Sequence, residues 1–184
     1  MRIFIAFPLP ESVKKVAKDV QDHIKLLDKK FPIHWTDFEK LHITLEFLGE
    51  ITAEKVEKVR DILLTIIPQS QPLKFQLDSI GAFPNLDFPH VLFIGIKELT
   101  GQGSDLHKNL LESLKSIDFL PEAHEWRPHI TLGRIKRQWH NTQNFSGIKF
   151  EKLVWDTESV QIMESAMKKS VYEYRVLDEI KFGT

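Results

Sequence analysis

No cysteine occurs among the 184 residues. That excludes disulfides, thiolate metal sites and cysteine nucleophiles, and it suits a reducing, cytoplasmic setting. Also lacking is any run approaching the roughly 18 consecutive apolar residues of a membrane-spanning helix, so no membrane role is expected. The opening Met1-Arg2-Ile3-Phe4-Ile5-Ala6-Phe7-Pro8 holds one basic residue and a very short apolar run, and reads as a first strand, not as a signal peptide. A basic excess is missing too: 25 Lys and Arg against 26 Asp and Glu leave a formal net charge of −1. Holding a long nucleic acid through many phosphates usually requires such an excess. What stays open is a local cluster that recognises one nucleotide end.

With 42% hydrophobic residues, the chain can bury a core, as one domain or as two small lobes sharing an interface. One phrase occurs twice. Leu41-His42-Ile43-Thr44-Leu45 stands in the first half, and Pro128-His129-Ile130-Thr131-Leu132 stands in the second, about half a chain away. In an extended strand, positions i and i+2 face the same way. Each copy therefore sets an imidazole and a hydroxyl side by side on one face.

The surroundings of the two phrases are alike. After a strand over 2–7, Pro10 and Glu11 open a helix with Val13, Val16, Ala17, Val20, Ile24 and Leu27 on one face. Its lysines and aspartates read as a solvated charged face. Residues 31–40 form a connection holding Trp35, and a strand over 42–48 follows, ended by Gly49. Thr52 is placed to cap a helix lined by Val56, Val59, Leu63 and Ile66. Alternation predicts a strand over about 73–82. The proline-rich stretch 83–89 leads to an apolar strand over 91–96. Ser104 or Asp105 caps a third helix carrying Leu106, Leu110, Leu114 and Ile117. A loop over 121–127 precedes the strand 129–135, and 136–147 is polar and irregular. Strand-like runs over 150–166 and 171–182 close the chain. The order of elements gives an α+β protein of two related lobes, with a soft boundary near 88–100 and one phrase in each lobe.

Alternation points Ile43, Leu45 and Phe47 into a core beneath the helices, and His42 and Thr44 outward. In the second copy Ile130 and Leu132 point inward, and His129 and Thr131 outward. If an approximate two-fold relates the lobes, two imidazoles and two hydroxyls line one cleft. That set suits phosphoryl chemistry. A neutral imidazole takes a proton from water, and a protonated one gives a proton to a leaving oxygen. Hydroxyls hold charge on non-bridging oxygens. No carboxylate adjoins either histidine, so a metal is not required. Glu46 shares the parity of His42 and is expected to stand behind the site or in solvent.

Arg134 has the parity of the inward residues and reaches the cleft only if a bulge at Gly133 turns it or the strand ends there. Arg127 has the parity of His129, with Pro128 between them. Both guanidiniums are candidates to bind phosphate. Trp35, Phe7 and Phe83 lie where a base could stack. His90 is a weaker ligand candidate. Lys136, Arg137, Lys149 and Lys152 either flank a nucleic-acid end or keep a loop soluble. His23, His34, His107, His124 and His140 read as solvated or capping, and Trp126 and Trp155 as packing.

The paired motifs resemble the 2H phosphoesterase superfamily, defined by two His-x-Thr motifs, and within it the LigT-type RNA 2′,3′-cyclic phosphodiesterases. The resemblance runs through Arg2-Ile3-Phe4-Ile5-Ala6-Phe7, Leu41-His42-Ile43-Thr44-Leu45-Glu46-Phe47-Leu48-Gly49 and Arg127-Pro128-His129-Ile130-Thr131-Leu132-Gly133-Arg134. It implies two pseudo-symmetric lobes, each a small, mainly antiparallel sheet with helices outside, whose sheets line a central cleft. It implies an enzyme that opens a 2′,3′-cyclic phosphate at an RNA 3′ end to a 2′-phosphomonoester, with no metal or nucleotide cofactor and no obligate protein partner. Reverse 2′–5′ ligation is a further expectation, and tRNA halves or short oligonucleotides are expected substrates. His42, Thr44, His129, Thr131 and Arg134 match the family's motif positions. The resemblance favours His42 as acid and His129 as base; the residues alone leave the order open. Two other readings keep the same cleft. One is a phosphodiesterase acting on 2′–5′ oligoadenylate or ADP-ribose 1″,2″-cyclic phosphate, and the other is a non-catalytic binder of RNA ends.

Overall fold

The computed structural model describes residues 1–27, 33–120, 125–135, 145, 147–168 and 171–183. Phe31, His124, Lys136, Arg137 and His140 lie outside the described residues, as do most of 136–147 and part of the 121–127 loop. The described elements run β1 (Arg2–Pro8), α1 (Glu11–Leu27), β2 (Ile33–Trp35), β3 (His42–Glu50), α2 (Ala53–Ile66), β4 (Lys74–Phe83), β5 (Val91–Glu98), α3 (Gly103–Leu114), β6 (His129–Ile135), β7 (Val154–Asp156), β8 (Ser159–Lys168) and β9 (Val171–Lys181). Among them no helix is long and apolar enough to cross a membrane.

Local chemistry accounts for most boundaries. Pro10 stands just before α1, and its carbonyl accepts from the amides of Val13 and Lys14. The Thr52 hydroxyl accepts from the Lys55 amide at 3.3 Å, capping α2 as its sequence suggests. The third helix departs from expectation, because it begins at Gly103 and neither Ser104 nor Asp105 caps it. The carboxylate of Glu98, at the end of β5, accepts from the Gly103 amide at 3.0 Å and from the Thr100 amide at 2.6 Å. Residues 33–35, read as part of a connection, form the short strand β2. Gly49 does not end β3; it sits at φ +68° within it, and the strand continues to Glu50. The run over 150–166 divides into β7 and β8 around Thr157, whose hydroxyl accepts from the Leu73 amide.

The described strands form one antiparallel sheet in the order β7-β4-β5-β6-β3-β1-β8-β9, with β2 added beside β6. Two four-stranded halves thus meet at its middle, where β3 pairs with β6 through Ile43 and Ile130 alone. The halves interleave the sequence. β1 and β3 join the C-terminal hairpin β8–β9, while β5 pairs with both β4 and β6. Each half holds one His-Ile-Thr-Leu strand. The helices cover the face that carries Ile43, Leu45, Ile130 and Leu132. These pack in one apolar core with Val13, Ala17, Val20 and Ile24 of α1 and with Leu63, Leu110 and Leu114 of α2 and α3. Fully burying such side chains contributes roughly 1.5–3 kcal/mol each, which pins the strand register and leaves the opposite face for the histidines. The α+β class and antiparallel sheets of the sequence reading agree with this architecture.

Candidate active site

At the sheet's centre, antiparallel pairing about Ile43 and Ile130 directs His42 toward Thr131 and Thr44 toward His129. All four side chains line a cleft of about 540 Å³ on the face away from the helices. Each imidazole is tethered in the same way. Nδ1 of His42 lies 2.7 Å from the Lys40 carbonyl, and Nδ1 of His129 lies 2.8 Å from the Arg127 carbonyl. A carbonyl only accepts, so Nδ1 carries the proton and Nε2 is left as the titrating nitrogen. Aromatic rings flank both. Phe4 and Tyr174 approach His42 at 4.9 and 5.6 Å between centroids, and Phe83 and Phe93 approach His129 at 5.1 and 5.2 Å.

This burial holds both imidazoles below the ordinary histidine value, because the charged form loses hydration. The carbonyl contacts oppose the shift. The Arg134 charge adds to it at His129, and His129 adds to it at His42.

Beyond each threonine the strand bulges at the same place. Along the β1–β3 pairing, Ile5 faces Glu46 and Ala6 faces Thr44, so Leu45 is left over. Along β5–β6, Leu92 faces Gly133 and Phe93 faces Thr131, so Leu132 is left over. One extra residue reverses the alternation downstream. Arg134 therefore turns outward and lines the cleft, with the bulge at Leu132, one position before the glycine that was expected to permit it. In the first copy the same reversal overturns the expectation for Phe47 and carries Glu46 to the helix side, behind the cleft. Phe47 is not in the core; it is 58% exposed and lines the cleft. Glu46 is buried, 2.7 Å from Nε2 of His107, which is itself buried and not solvated.

Each bulge is braced from behind. The Trp126 indole donates to the Thr44 carbonyl at 3.1 Å, so this tryptophan has a polar role besides packing. Buried Gln21, on α1, donates through Nε2 to the carbonyls of Leu132 and Thr36, each at 2.8 Å. Gly133 admits β2: a Cβ there would lie 2.6 Å from Cγ2 of Ile33 and 3.0 Å from the His34 carbonyl oxygen.

The remaining candidates divide. Phe83 lines the cleft. Arg127 contributes its carbonyl to His129, but its guanidinium bonds Glu125 at 3.1–3.2 Å and is not among the cleft-lining groups. Phe7 is fully buried against Phe75, Trp126 and Phe182 and offers no face to a base. Trp35 is half-buried, with the Lys25 ammonium 5.1 Å from its ring centroid, and its neighbour Thr36 lines the cleft instead. His90, Lys149 and Lys152 are exposed and are not among the cleft-lining residues, although His90 immediately precedes lining Val91. Arg2, Phe4, Lys40, Tyr172 and Tyr174 also line the cleft and were not singled out. The chain's two tyrosines, at i and i+2 on one strand face, were a usable signal. Among the described residues no three His, Cys, Asp or Glu side chains form a metal-binding group.

The chain is similar to known proteins in sequence and fold. The LigT-like phosphoesterase family matches residues 7–93. An RNA 2′,3′-cyclic phosphodiesterase of Methanocaldococcus jannaschii is 35% identical over 136 residues, covering 74% of this chain and 72% of that protein. Another, from Thermotoga maritima, is 29% identical over 99% of this chain and 96% of its own. A Thermus thermophilus protein of solved structure superposes with a TM-score of 0.84 at 24% identity, over 98% of this chain and 97% of its own. With motif pair, sheet order and relatives in agreement, the chain belongs to the LigT-like phosphoesterases.

Proposed function

We infer that this protein is a phosphodiesterase that opens the 2′,3′-cyclic phosphate at an RNA 3′ end to a 2′-phosphomonoester. The observation that carries the reading is the convergence of two Nδ1-tethered imidazoles, two threonine hydroxyls and one arginine on a single cleft. Relatives named RNA 2′,3′-cyclic phosphodiesterase support the substrate class.

In this reading the phosphate sits between the two Nε2 atoms. Neutral His129 takes a proton from water as the water oxygen attacks phosphorus. Protonated His42 gives its Nε2 proton to O3′ as the P–O3′ bond breaks, leaving the phosphate on O2′. Thr44 and Thr131 donate to the non-bridging oxygens, and Arg134 holds the charge that grows there. The downward shift at His129 favours a neutral base near pH 7. The same shift works against His42 as acid, and the negative charge of a bound phosphodiester opposes it. A ribose 5′-hydroxyl in place of water would give a 2′–5′ linkage, so ligation uses the same groups. The donor set of two imidazoles and no adjacent carboxylate is a poor first shell for a divalent metal, and the reading is metal-independent. The two lobes, one motif in each, act as one unit, on RNA ends such as tRNA halves or short oligonucleotides. A cytoplasmic site of action accords with the cysteine-free sequence.

The test is product analysis on an RNA ending in 2′,3′-cyclic phosphate, in EDTA. A 2′-phosphate is the expected product. No hydrolysis, or hydrolysis lost to the chelator, overturns the reading, and a 3′-phosphate reverses which oxygen leaves.

A further inference from the structure

Most of the described arginines are tied to a carboxylate. Arg60 pairs with Asp178, Arg127 with Glu125 and Arg175 with Glu164. Among the described residues Arg2 and Arg134 form no such ion pair, and these are the two arginines that line the cleft. Lys40, the lysine of the lining, is bound to Asp37 at 2.5 Å. An arginine without a partner acid keeps its charge and its donors for an anionic ligand. The proposed chemistry gives Arg134 the phosphoryl oxygens and leaves Arg2 unused.

Arg2 is held in place by a neighbour from the C-terminal hairpin. Its guanidinium carbon lies 5.6 Å from the centroid of the Tyr172 ring, and Nη1 donates to the Tyr172 hydroxyl at 3.4 Å. Glu50 is its cross-strand neighbour on β3, yet no ion pair joins them. Arg2 and Phe4 are two positions apart on β1 and both line the cleft, a step of roughly 7 Å along a strand. The Phe4 ring in turn lies 4.9 Å from the His42 ring between centroids. Arg2 on β1 and Arg134 on β6 thus stand in opposite halves of the sheet, with the two histidines between them.

A cyclic phosphate ends its RNA, so only one strand leaves the reacting phosphate, toward the 5′ side. The next charge on that strand is the phosphodiester joining the terminal nucleoside to its neighbour. Resting on the reading of this cleft as a site for RNA cyclic phosphates, we infer that Arg2, braced by Tyr172, binds this second phosphate. Arg134 serves the phosphate that reacts, and Arg2, at the far end of the cleft, serves the one that does not. Such a contact reads backbone charge and not sequence. It makes an RNA end a better substrate than a nucleoside cyclic phosphate, and it needs one local cation where the whole chain has a net charge of −1.

The experiment compares three substrates: adenosine 2′,3′-cyclic phosphate, an adenine dinucleotide ending in 2′,3′-cyclic phosphate, and the same dinucleotide with a neutral methylphosphonate linkage. For wild type, the charged dinucleotide should show a KM lower than the other two by roughly tenfold, the scale of one hydrogen bond to a charged group, with kcat similar for all three. Arg2→Ala should raise KM for the charged dinucleotide to the level of the neutral one and make no difference to the substrates that lack the charge. An equal effect of Arg2→Ala on all three, or none on any, overturns the assignment. So does a wild-type enzyme that does not distinguish the charged linkage from the neutral one, an arm that needs no variant to fold. If wild type hydrolyses none of the three, the phosphodiesterase reading itself has failed. Calorimetric binding of an adenine dinucleotide 2′-monophosphate against adenosine 2′-monophosphate then judges Arg2 separately. The second phosphate site requires Arg2→Ala to weaken the dinucleotide alone, and equal weakening or no change refutes it.

Discussion

The strands His42-Ile43-Thr44-Leu45-Glu46-Phe47 and His129-Ile130-Thr131-Leu132-Gly133-Arg134 share their first four residues and their backbone path, including a bulge at the leucine. They diverge at the two residues after it. The inward position is Glu46, bonded to His107, in one strand and bare Gly133, roofed by β2, in the other. The cleft position is Phe47 in one and Arg134 in the other. The two strands thus agree at the histidines and threonines and differ at the two residues past each bulge. A 2′,3′-cyclic phosphate has two chemically similar ester oxygens, and two equivalent histidines alone would not choose between them. The unlike residues past the bulges, Phe47 and Arg134, make the two ends of the cleft differ.

The strongest way to break the comparison is to remove each histidine. His42→Ala and His129→Ala should each lower turnover by about 10²–10⁴-fold, the range for a lost general acid or base, with substrate binding partly kept. The double variant should cost little more than either single, because acid and base serve one transition state. A variant that keeps near-normal turnover shows that the two copies are not functionally equivalent, and single-turnover kinetics on a cyclic-phosphate RNA reads this directly.

Next comes Arg134→Ala. Loss of a charge aimed at the phosphoryl oxygens should lower kcat/KM by on the order of 10²-fold, mainly through kcat. It should also move the pH profile. The Arg134 charge helps to hold His129 below the ordinary imidazole value, so its removal raises the His129 pKa. A base with a higher pKa is protonated, and lost, at higher pH. The acid limb of kcat/KM should therefore shift upward in the variant, while wild type keeps activity further into the acid range. An unmoved limb separates Arg134 from His129.

The bulges also mark where the sequence stopped being readable. Strict alternation places His42, Thr44, His129 and Thr131 correctly because the strand is regular up to the leucines. One residue further it fails. Alternation sets Phe47 in the core and Glu46 on the parity of His42; the unpaired Leu45 reverses both, which puts Phe47 in the cleft and Glu46 behind it. The matching glycine in the second copy hinted at a bulge, whereas nothing in Leu45-Glu46-Phe47 does. His107 was unreadable for a related reason: its partner Glu46 lies 61 positions away in sequence and turns inward only because of that bulge. Local elements followed from capping and periodicity. The pairing of β1 with the C-terminal β8, and of β5 with both β4 and β6, is a long-range arrangement that no local pattern encodes.

The inward position offers a test of stability rather than rate. Gly133→Ala sets a methyl 2.6 Å from Ile33 Cγ2 and 3.0 Å from a backbone oxygen. Side-chain rotation can relieve the first contact but not the second, so β2 must shift. A loss of about 1–3 kcal/mol is expected, the usual cost of overpacking, measurable by urea titration. The first strand tolerates a full glutamate at the equivalent position, because its inward side faces His107 on α3 and not a third strand. Unchanged stability in Gly133→Ala indicates that β2 is not packed closely on β6.

The smallest expected effect lies at the brace of the second bulge. Gln21 is almost fully buried and donates both amide hydrogens, to the carbonyls of Leu132 and Thr36. In Gln21→Ala the Leu132 carbonyl still accepts from the Thr36 amide at 2.9 Å, so the Thr36 oxygen is the one left to find a new donor. One buried acceptor without its donor costs about 1–3 kcal/mol, and adaptation of the nearby 36–38 backbone places this case at the low end. Gln21 does not line the cleft, but it holds the residue whose bulge turns Arg134 outward. A loosened bulge should therefore lower kcat in the same direction as Arg134→Ala, only a few-fold, and leave KM nearly unchanged. If turnover is unchanged, the Gln21 brace does not hold Arg134 in place, and the second bulge keeps its shape through the β5–β6 pairing alone.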